Sequence, residues 1–467
     1  MRWRETLARD QRQYSRIGVV LRRETWDFIG RRFVLIGALL SAFLLGAHAA
    51  EEPKPVGSPV IEGVDPAAMT PEQLQTLMIK AESGDPQAEC LLGIAYHQRY
   101  SNMHSDREAV RWLTKAAQSG VALAQAYLGY FYQFGIGVAQ SDAQAVRWYQ
   151  KSADQGFAAG QNNLGYMYWH GAGGLPQSDE EAAEWFRKAA TQNLAGAEVN
   201  LGIIHRQKGI LHDYGEAQRW FRRAAEQGNP KAKTALGMMY LNGEGVTKDY
   251  VTSFRFFKAG AEQGDPAAES SLGFMYIKGY GVERNYEEGL KWIKRAVAKG
   301  LAAAENNLGF IYDLGLGTAA DHHEAARWYC SAAEKGEPAA QNAVAYILAS
   351  ATAGSRDYRK AAEWFAKAAD QGYATAQVNL GILYRTGRGV PLDYVEALAW
   401  FRRAEANGSP EAAREARELR AIMSNKQLER AKFKVADRAS RPITSRNRSE
   451  PSDQDHCPLF DTTTASR

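Results

Sequence analysis

Four amide side chains share one register of this chain. Asn163, Asn200, Asn307 and Asn379 each directly precede a recurring leucine. An amide offers both a donor and an acceptor, so such a row can pair with the backbone of an extended peptide whatever its sequence. Two residues after the recurring leucine stand Tyr130, Tyr166, Phe274, Phe310 and Tyr346. These rings can flank the amide row, and aromatic rows also suit sugar stacking. The competing reading is structural: amides that bond between neighbouring units and rings that fill a core.

Other groups suggest other chemistries, and their settings argue against each. Six loops read G-x-G: Gly135/Gly137, Gly171/Gly173, Gly243/Gly245, Gly279/Gly281, Gly315/Gly317 and Gly387/Gly389. A phosphate cradle needs a strand before the loop and a helix after it. These loops lie between two helical segments and read as tight turns with positive φ. His322-His323, His97 with His104, and His205 with His212 suggest a metal site, but no further ligand stands at a recognised spacing. No Ser-His-Asp or paired-carboxylate arrangement is discernible, because Glu and Asp fall mostly at helix starts and exposed faces. The expectation is a chain with no cofactor, no metal and no catalytic centre. The cysteines are Cys90, Cys330 and Cys457, an odd number that gives no disulfide framework. Cys90 and Cys330 read as helix-packing residues, and Cys457 as a free thiol or an intermolecular partner.

The elements that carry these residues repeat. Leu-Gly occurs at 92, 128, 164, 201, 236, 272, 308 and 380, in steps of 35 to 37 residues except where Val344-Ala345 replaces one copy. Such a period signals stacked supersecondary units. Residues 229 to 264 show the grammar. Asn229-Pro230 caps a helix whose apolar face is Ala232, Leu236, Met239 and Tyr240. Gly243 to Val246 breaks it. Asp249 caps a second helix with Ser253, Phe256, Phe257 and Ala261 inward, and Gly264 closes it. The second helices carry Trp112, Trp148, Trp185, Trp220, Trp292, Trp328, Trp364 and Trp400, each with a small residue three positions earlier. Large against small lets adjacent helices interlock.

The pattern A-x3-LG-x2-Y, G-x-GV and A-x2-WF-x-KAA-x2-G resembles the Sel1-like repeat, a relative of the tetratricopeptide repeat. Ala232 to Val246 is a close example, and the resemblance covers about residues 78–424. It implies an all-α, right-handed α/α superhelical solenoid of about nine repeats with a C-terminal capping helix. It also implies that the first helix of each repeat, with the amide row, lines a concave groove for protein partners. Two units depart from the pattern: one has His205 for Tyr and a shortened loop at Gly209, and the other has Val344-Ala345, Leu348 and no G-x-G.

The net charge is +4, but residues 1–50 carry nine Arg against four acids, so the remainder is close to neutral. That balance gives no electrostatic case for nucleic acid. Phe33 to Gly46 is an apolar and small run, preceded by Arg31-Arg32 and followed by Ala47-His48-Ala49. These are the three parts of a secretory signal, with an uncleaved inner-membrane anchor through residues 33–50 as the alternative. The expected organisation is a signal peptide with a long basic leader at 1–49, a Pro-rich linker at 50–69, the repeat array at 70–424 and a basic, then disordered, tail at 425–467. The expected role is a periplasmic or secreted scaffold or regulator that binds a partner polypeptide. The alternatives are a glycan-binding component of wall or exopolysaccharide machinery, and a hydrolase acting on wall precursors.

Overall fold

The computed structural model describes residues 69–98, 104–207, 209, 211–350, 356–439 and 457–460. The expected signal or anchor and nearly all of the linker lie outside the described residues. Those described are helical apart from their turns, with no strand among them.

Helix α1 (Pro71–Glu82) precedes nine hairpins: α2 (Pro86–His97) with α3 (Asp106–Gln118), α4 (Ala122–Phe134) with α5 (Asp142–Asp154), α6 (Ala158–His170) with α7 (Asp179–Ala190), α8 (Ala195–Arg206) with α9 (Tyr214–Glu226), α10 (Pro230–Asn242) with α11 (Tyr250–Glu262), α12 (Pro266–Lys278) with α13 (Tyr286–Ala298), α14 (Ala302–Leu314) with α15 (His322–Glu334), α16 (Pro338–Ser350) with α17 (Tyr358–Asp370), and α18 (Ala374–Thr386) with α19 (Tyr394–Ala406). Helices α20 (Pro410–Arg420) and α21 (Asn425–Ala439) follow, and a short 3-10 turn spans Pro458–Phe460. Contacts divide the described chain into two compact units, residues 69–304 and residues 305–439 with 457–460.

Local sequence explains the boundaries. Thr70 and Gln73 form a reciprocal capping box at the start of α1. Every second helix has Ser, Asp or Asn as its N-cap, and that residue's N–H donates to the carbonyl four residues after the recurring leucine, as in Asp249 to Tyr240 at 3.0 Å and Asp393 to Tyr384 at 3.0 Å. One bond thus closes each hairpin, spanning nine residues except in α6–α7, where Ser178 reaches Tyr168 across ten, and α8–α9, where Asp213 reaches His205 across eight. Where His205 replaces Tyr, its Nδ1 lies 2.8 Å from the Leu211 carbonyl and ties down the shortened loop. The first glycine of a G-x-G loop ends the helix in the left-handed region, as at Gly135 with φ 69°. The second allows close approach: a Cβ on Gly137 would lie 2.5 Å from the Asp106 carbonyl at the start of α3.

The core of each hairpin centres on the residue after the tryptophan, not on the tryptophan itself. Leu113, Tyr149, Phe186, Phe221, Phe257, Ile293, Phe365 and Phe401 are wholly buried or nearly so. Each faces the Leu-Gly position of its partner helix; a Cβ on Gly237 would meet Phe257 at 2.8 Å. The glycine is the socket for that side chain, which explains why the pair recurs. The tryptophan ring instead lies under a base three residues later, as Lys188 over Trp185 at 4.0 Å and Lys367 over Trp364 at 4.1 Å.

Neighbouring hairpins are stitched by a polar ladder. The fourth residue of a first helix accepts from a side chain 30 residues later. Gln155 donates to Gln125 at 2.7 Å, Gln192 to Gln161 at 2.9 Å, Lys299 to Glu269 at 2.9 Å, Gln371 to Gln341 at 2.9 Å and Asn407 to Gln377 at 3.1 Å. The Gln acceptors receive an amide, Glu269 and Glu305 receive Lys299 and Lys335, and Glu198 receives both the Gln227 amide and Arg223. Several donors also bond the carbonyl of the glycine closing the preceding hairpin, such as Lys299 to Gly264 at 2.7 Å.

Cys330 and Cys457 form a disulfide with Cα atoms 5.4 Å apart, and Cys90 is a buried free thiol. This corrects the reading of Cys330 as simple helix packing and of Cys457 as a free thiol or intermolecular partner. Spacing along the chain could not reveal the pair, because 127 residues separate them. Of residues 425–467, expected as a basic and then disordered tail, 425–439 form α21, which packs against α19, and 457–460 lie against α15.

Candidate partner-binding face of the first helices

The candidate amides occupy the buried side of the first helices. Asn163, Asn307 and Asn379 are buried, and Asn200 is half-buried. Asn200 donates to Asn162 Oδ1 at 2.9 Å, and Asn379 donates to Asn342 Oδ1 at 3.0 Å. Each bond runs from the residue before the leucine position in one hairpin to the residue two before it in the preceding hairpin. Asn162 in turn donates to Asn163 Oδ1 at 3.2 Å. Asn163 lies beside Tyr149, whose hydroxyl donates to Gln133 Oε1 at 2.7 Å. Burial holds the Tyr149 phenol well above its usual range, and the Asn163 contact opposes that rise only in part.

The aromatic candidates are half-buried, except Phe274, which is buried. Tyr130, Tyr166 and Phe274 each begin an i, i+4 pair along their helix. Tyr130 and Phe134 have ring centroids 4.7 Å apart, Tyr166 and His170 4.3 Å, and the Lys278 ammonium lies 5.6 Å from the Phe274 centroid. Burial lowers the pKa of both His170 and Lys278, with Arg284 adding to the effect on Lys278. Burial and then Asp313 raise that of Tyr346.

Helical spacing shows which amides share the aromatic stripe. Asn162 precedes Tyr166 by four residues, Asn306 precedes Phe310 by four and Asn342 precedes Tyr346 by four. The residues picked from sequence, one position later, lie roughly 100° around the helix. The i, i+4 relation to the rings was the available signal for Asn162, Asn306 and Asn342. In the first unit the stripe reads Ala126-Tyr130-Phe134, Asn162-Tyr166-His170 and Ser270-Phe274-Lys278. In the second it reads Asn306-Phe310-Leu314 and Asn342-Tyr346-Ser350.

The histidines find local partners. His97 Nδ1 is 2.8 Å from Asp106, and His104 Nε2 is 3.8 Å from the same carboxylate. His322 Nδ1 is 2.7 Å from Asp313, and His212 Nδ1 is 3.0 Å from the Gln207 carbonyl. Among the described residues no group of three or more His, Cys, Asp or Glu is placed to hold a metal, and no helix is long and apolar enough to cross a membrane.

The Sel1 repeat profile matches nine consecutive segments: 86–121, 122–157, 158–194, 195–229, 230–265, 266–301, 302–337, 338–373 and 374–409. The chain belongs to the Sel1 repeat family. Each segment corresponds to one hairpin of this Sel1 repeat protein, and the fold is that of a Sel1 repeat solenoid of nine repeats. Sel1 repeats generally mediate protein–protein interaction, and the family is typically non-catalytic. Among solved structures, the chain is 28% identical to c5321, described as a protective antigen present in uropathogenic Escherichia coli strains displaying an SLR fold, over 80% of this chain and 96% of that one, with a TM-score of 0.46. It is 34% identical to a Sel1 repeat protein from Oxalobacter formigenes, over 52% of this chain and 96% of that one, with a TM-score of 0.46. No curated protein sequence matches.

Proposed function

We propose that this Sel1 repeat protein is an exported, non-catalytic scaffold that captures an extended stretch of a partner polypeptide on the first-helix face. The observation that carries the reading is the aromatic stripe, most of its rings half-buried, which shares helix faces with Asn162, Asn306 and Asn342; Asn162 and Asn342 are each held by an amide of the next hairpin. Amides held in place lose little freedom on binding, and rings such as Tyr166 and Tyr346 supply apolar area at low entropic cost. Asn200 and Asn379 are assigned a supporting role, holding the stripe in register from one hairpin to the next, and Asn163 one within its own hairpin. The basic and apolar run before residue 50 supports export, and the Cys330–Cys457 disulfide fits an oxidising compartment.

The test immobilises residues 50–467 and offers cell-envelope polypeptides and purified wall and capsule glycans separately. Retention of a polypeptide, lost when Tyr166 and Tyr346 are both replaced by Ala, is the expected result. Retention of glycan alone would replace the reading with the sugar-binding alternative. Turnover of a wall precursor would replace it with the hydrolase.

A further inference from the structure

Two residues after the tryptophan, most second helices carry a long polar side chain: Gln150, Arg187, Arg222, Lys258, Lys294 and Arg402. These are exposed or half-exposed. Helix α15 departs from this pattern twice. Cys330 stands in the polar register, and Ser331 replaces the base that covers the tryptophan in seven other hairpins. Ser331 instead donates to Glu305 Oε2 at 2.9 Å. The result is a small, uncharged strip on α15, and the C-terminal segment lies on it. Cys457 is bonded to Cys330, its N–H donates to Glu334 Oε1 at 2.7 Å, and Leu459 packs on the apolar cluster that contains both cysteines. Only 5% of Cys330 and 2% of Cys457 remain exposed. An Arg or Lys at either departed position would be trapped under the segment, away from water.

The geometry points to Cys330 and Cys457 as a redox latch that closes the C-terminal segment over α15 by thiol–disulfide exchange with an oxidising disulfide. In that exchange one cysteine thiolate attacks a sulfur of the oxidant's disulfide and expels a thiolate. The second cysteine then displaces the remaining half. The chain loses two protons and two electrons, and the oxidant's disulfide becomes two thiols. Cys90 takes no part: burial pushes its thiol up to about 12, so it stays protonated and inert. The latch has a clear structural consequence. Its 127-residue span covers the hairpin that has Val344-Ala345 in place of Leu-Gly, and the hairpin and helices that follow. Stability in a repeat array is local, so closing this span stabilises the C-terminal repeats and leaves the N-terminal repeats as they were. The inference is independent of the partner reading, since neither cysteine lies on the first-helix face.

The experiment compares the full chain oxidised with glutathione disulfide and the same chain reduced with a phosphine. Native thiol counting should find no reactive thiol in the oxidised form and two in the reduced form. Trypsin cleavage between residues 438 and 448 should leave the C-terminal fragment attached to the array only in the oxidised form. Amide exchange in α16 to α20 should speed up at least tenfold on reduction, with α2 to α9 unchanged. Cys457→Ser should match the reduced chain in proteolysis and amide exchange under both conditions, and should show one reactive thiol when reduced. Two reactive thiols in the oxidised folded chain, a disulfide-linked dimer, or identical exchange in both redox states would overturn the proposal.

Discussion

Two hairpins of the same length solve the same packing problem differently. In α12–α13, Gly273 leaves room for Ile293, where a Cβ would meet the Ile293 side chain at 2.6 Å. Glu269 is fully buried and takes ions from Arg295 at 2.8 Å and Lys299 at 2.9 Å. The preceding cap, Asp265, accepts from Thr234 Oγ1 at 2.7 Å and from the Ala268 N–H at 2.9 Å. In α16–α17 the glycine is Ala345, the ionic rung is the neutral pair Gln341–Gln371, and the residue before the helix is Glu337. Glu337 takes the Ala339 N–H, yet its Oε1 is buried without a partner, and burial raises its pKa to about 7. The second hairpin has lost the glycine, the charge and the satisfied cap. It lies instead within a disulfide-closed span. A repeat array therefore tolerates a poor unit where some other constraint holds its neighbours.

The largest expected difference between the two hairpins follows from the glycine. Gly273→Leu should destabilise the first unit by about 3 kcal/mol, because a well-packed helix contact cannot absorb the added atoms. Ala345→Gly should cost about 1 kcal/mol at most, the helix-propensity difference alone. Chemical denaturation followed by amide exchange in each region checks both. Equal costs would mean that the glycine is not the socket described here.

The next effect depends on pH. The Glu337 carboxyl has a raised folded pKa, so between its unfolded value and about 7 the folded chain binds the extra proton. Stability of the second unit should therefore fall as pH rises through that window, by about 3 kcal/mol, and the loss should be complete above it. Glu337→Gln should remove the slope and stabilise the unit at pH 8. Melting curves between pH 5 and pH 8 measure this, and a slope unchanged by the substitution would exclude Glu337 as its source.

The polar rungs come next. Glu269→Ala leaves two cations without their buried acceptor and should cost about 2 kcal/mol. Gln341→Ala, which removes a neutral rung, should cost about 1 kcal/mol. The smallest effect is a likeness between the units. Double-mutant cycles on Asn200 with Asn162 and on Asn379 with Asn342 should both give a coupling of about 0.5–1 kcal/mol. A coupling in only one pair would mean that the two stripes are built differently.

What the sequence disclosed was local and recurrent. The Thr70 box, the Asp249 cap, the G-x-G turns and the hairpin period are properties of adjacent residues, and repetition amplifies them. The tryptophan drew attention away from its neighbour because residue size was read without direction; Phe221, one residue after Trp220, is the side chain that fills the Gly202 socket. The Lys299–Glu269 rung joins two neighbouring hairpins through residues 30 apart, a separation that no local pattern reveals. The amides picked out by their alignment to the leucine lie one residue from Asn162, Asn306 and Asn342, which share the i, i+4 spacing with the rings. The disulfide was illegible by spacing, although Cys330 in a register held mostly by Arg, Lys and Gln was a usable sign of a covered surface.

The central claim is that the amide and aromatic stripe of the first helices receives a polypeptide. Site-specific photocrosslinking tests it most directly, with a photoreactive residue placed in turn at Tyr166, Phe310 and Tyr346, and at Arg222 on a second helix. The account predicts polypeptide adducts from the three stripe positions and none from Arg222. Adducts from Arg222 alone, with the stripe positions silent, would contradict it.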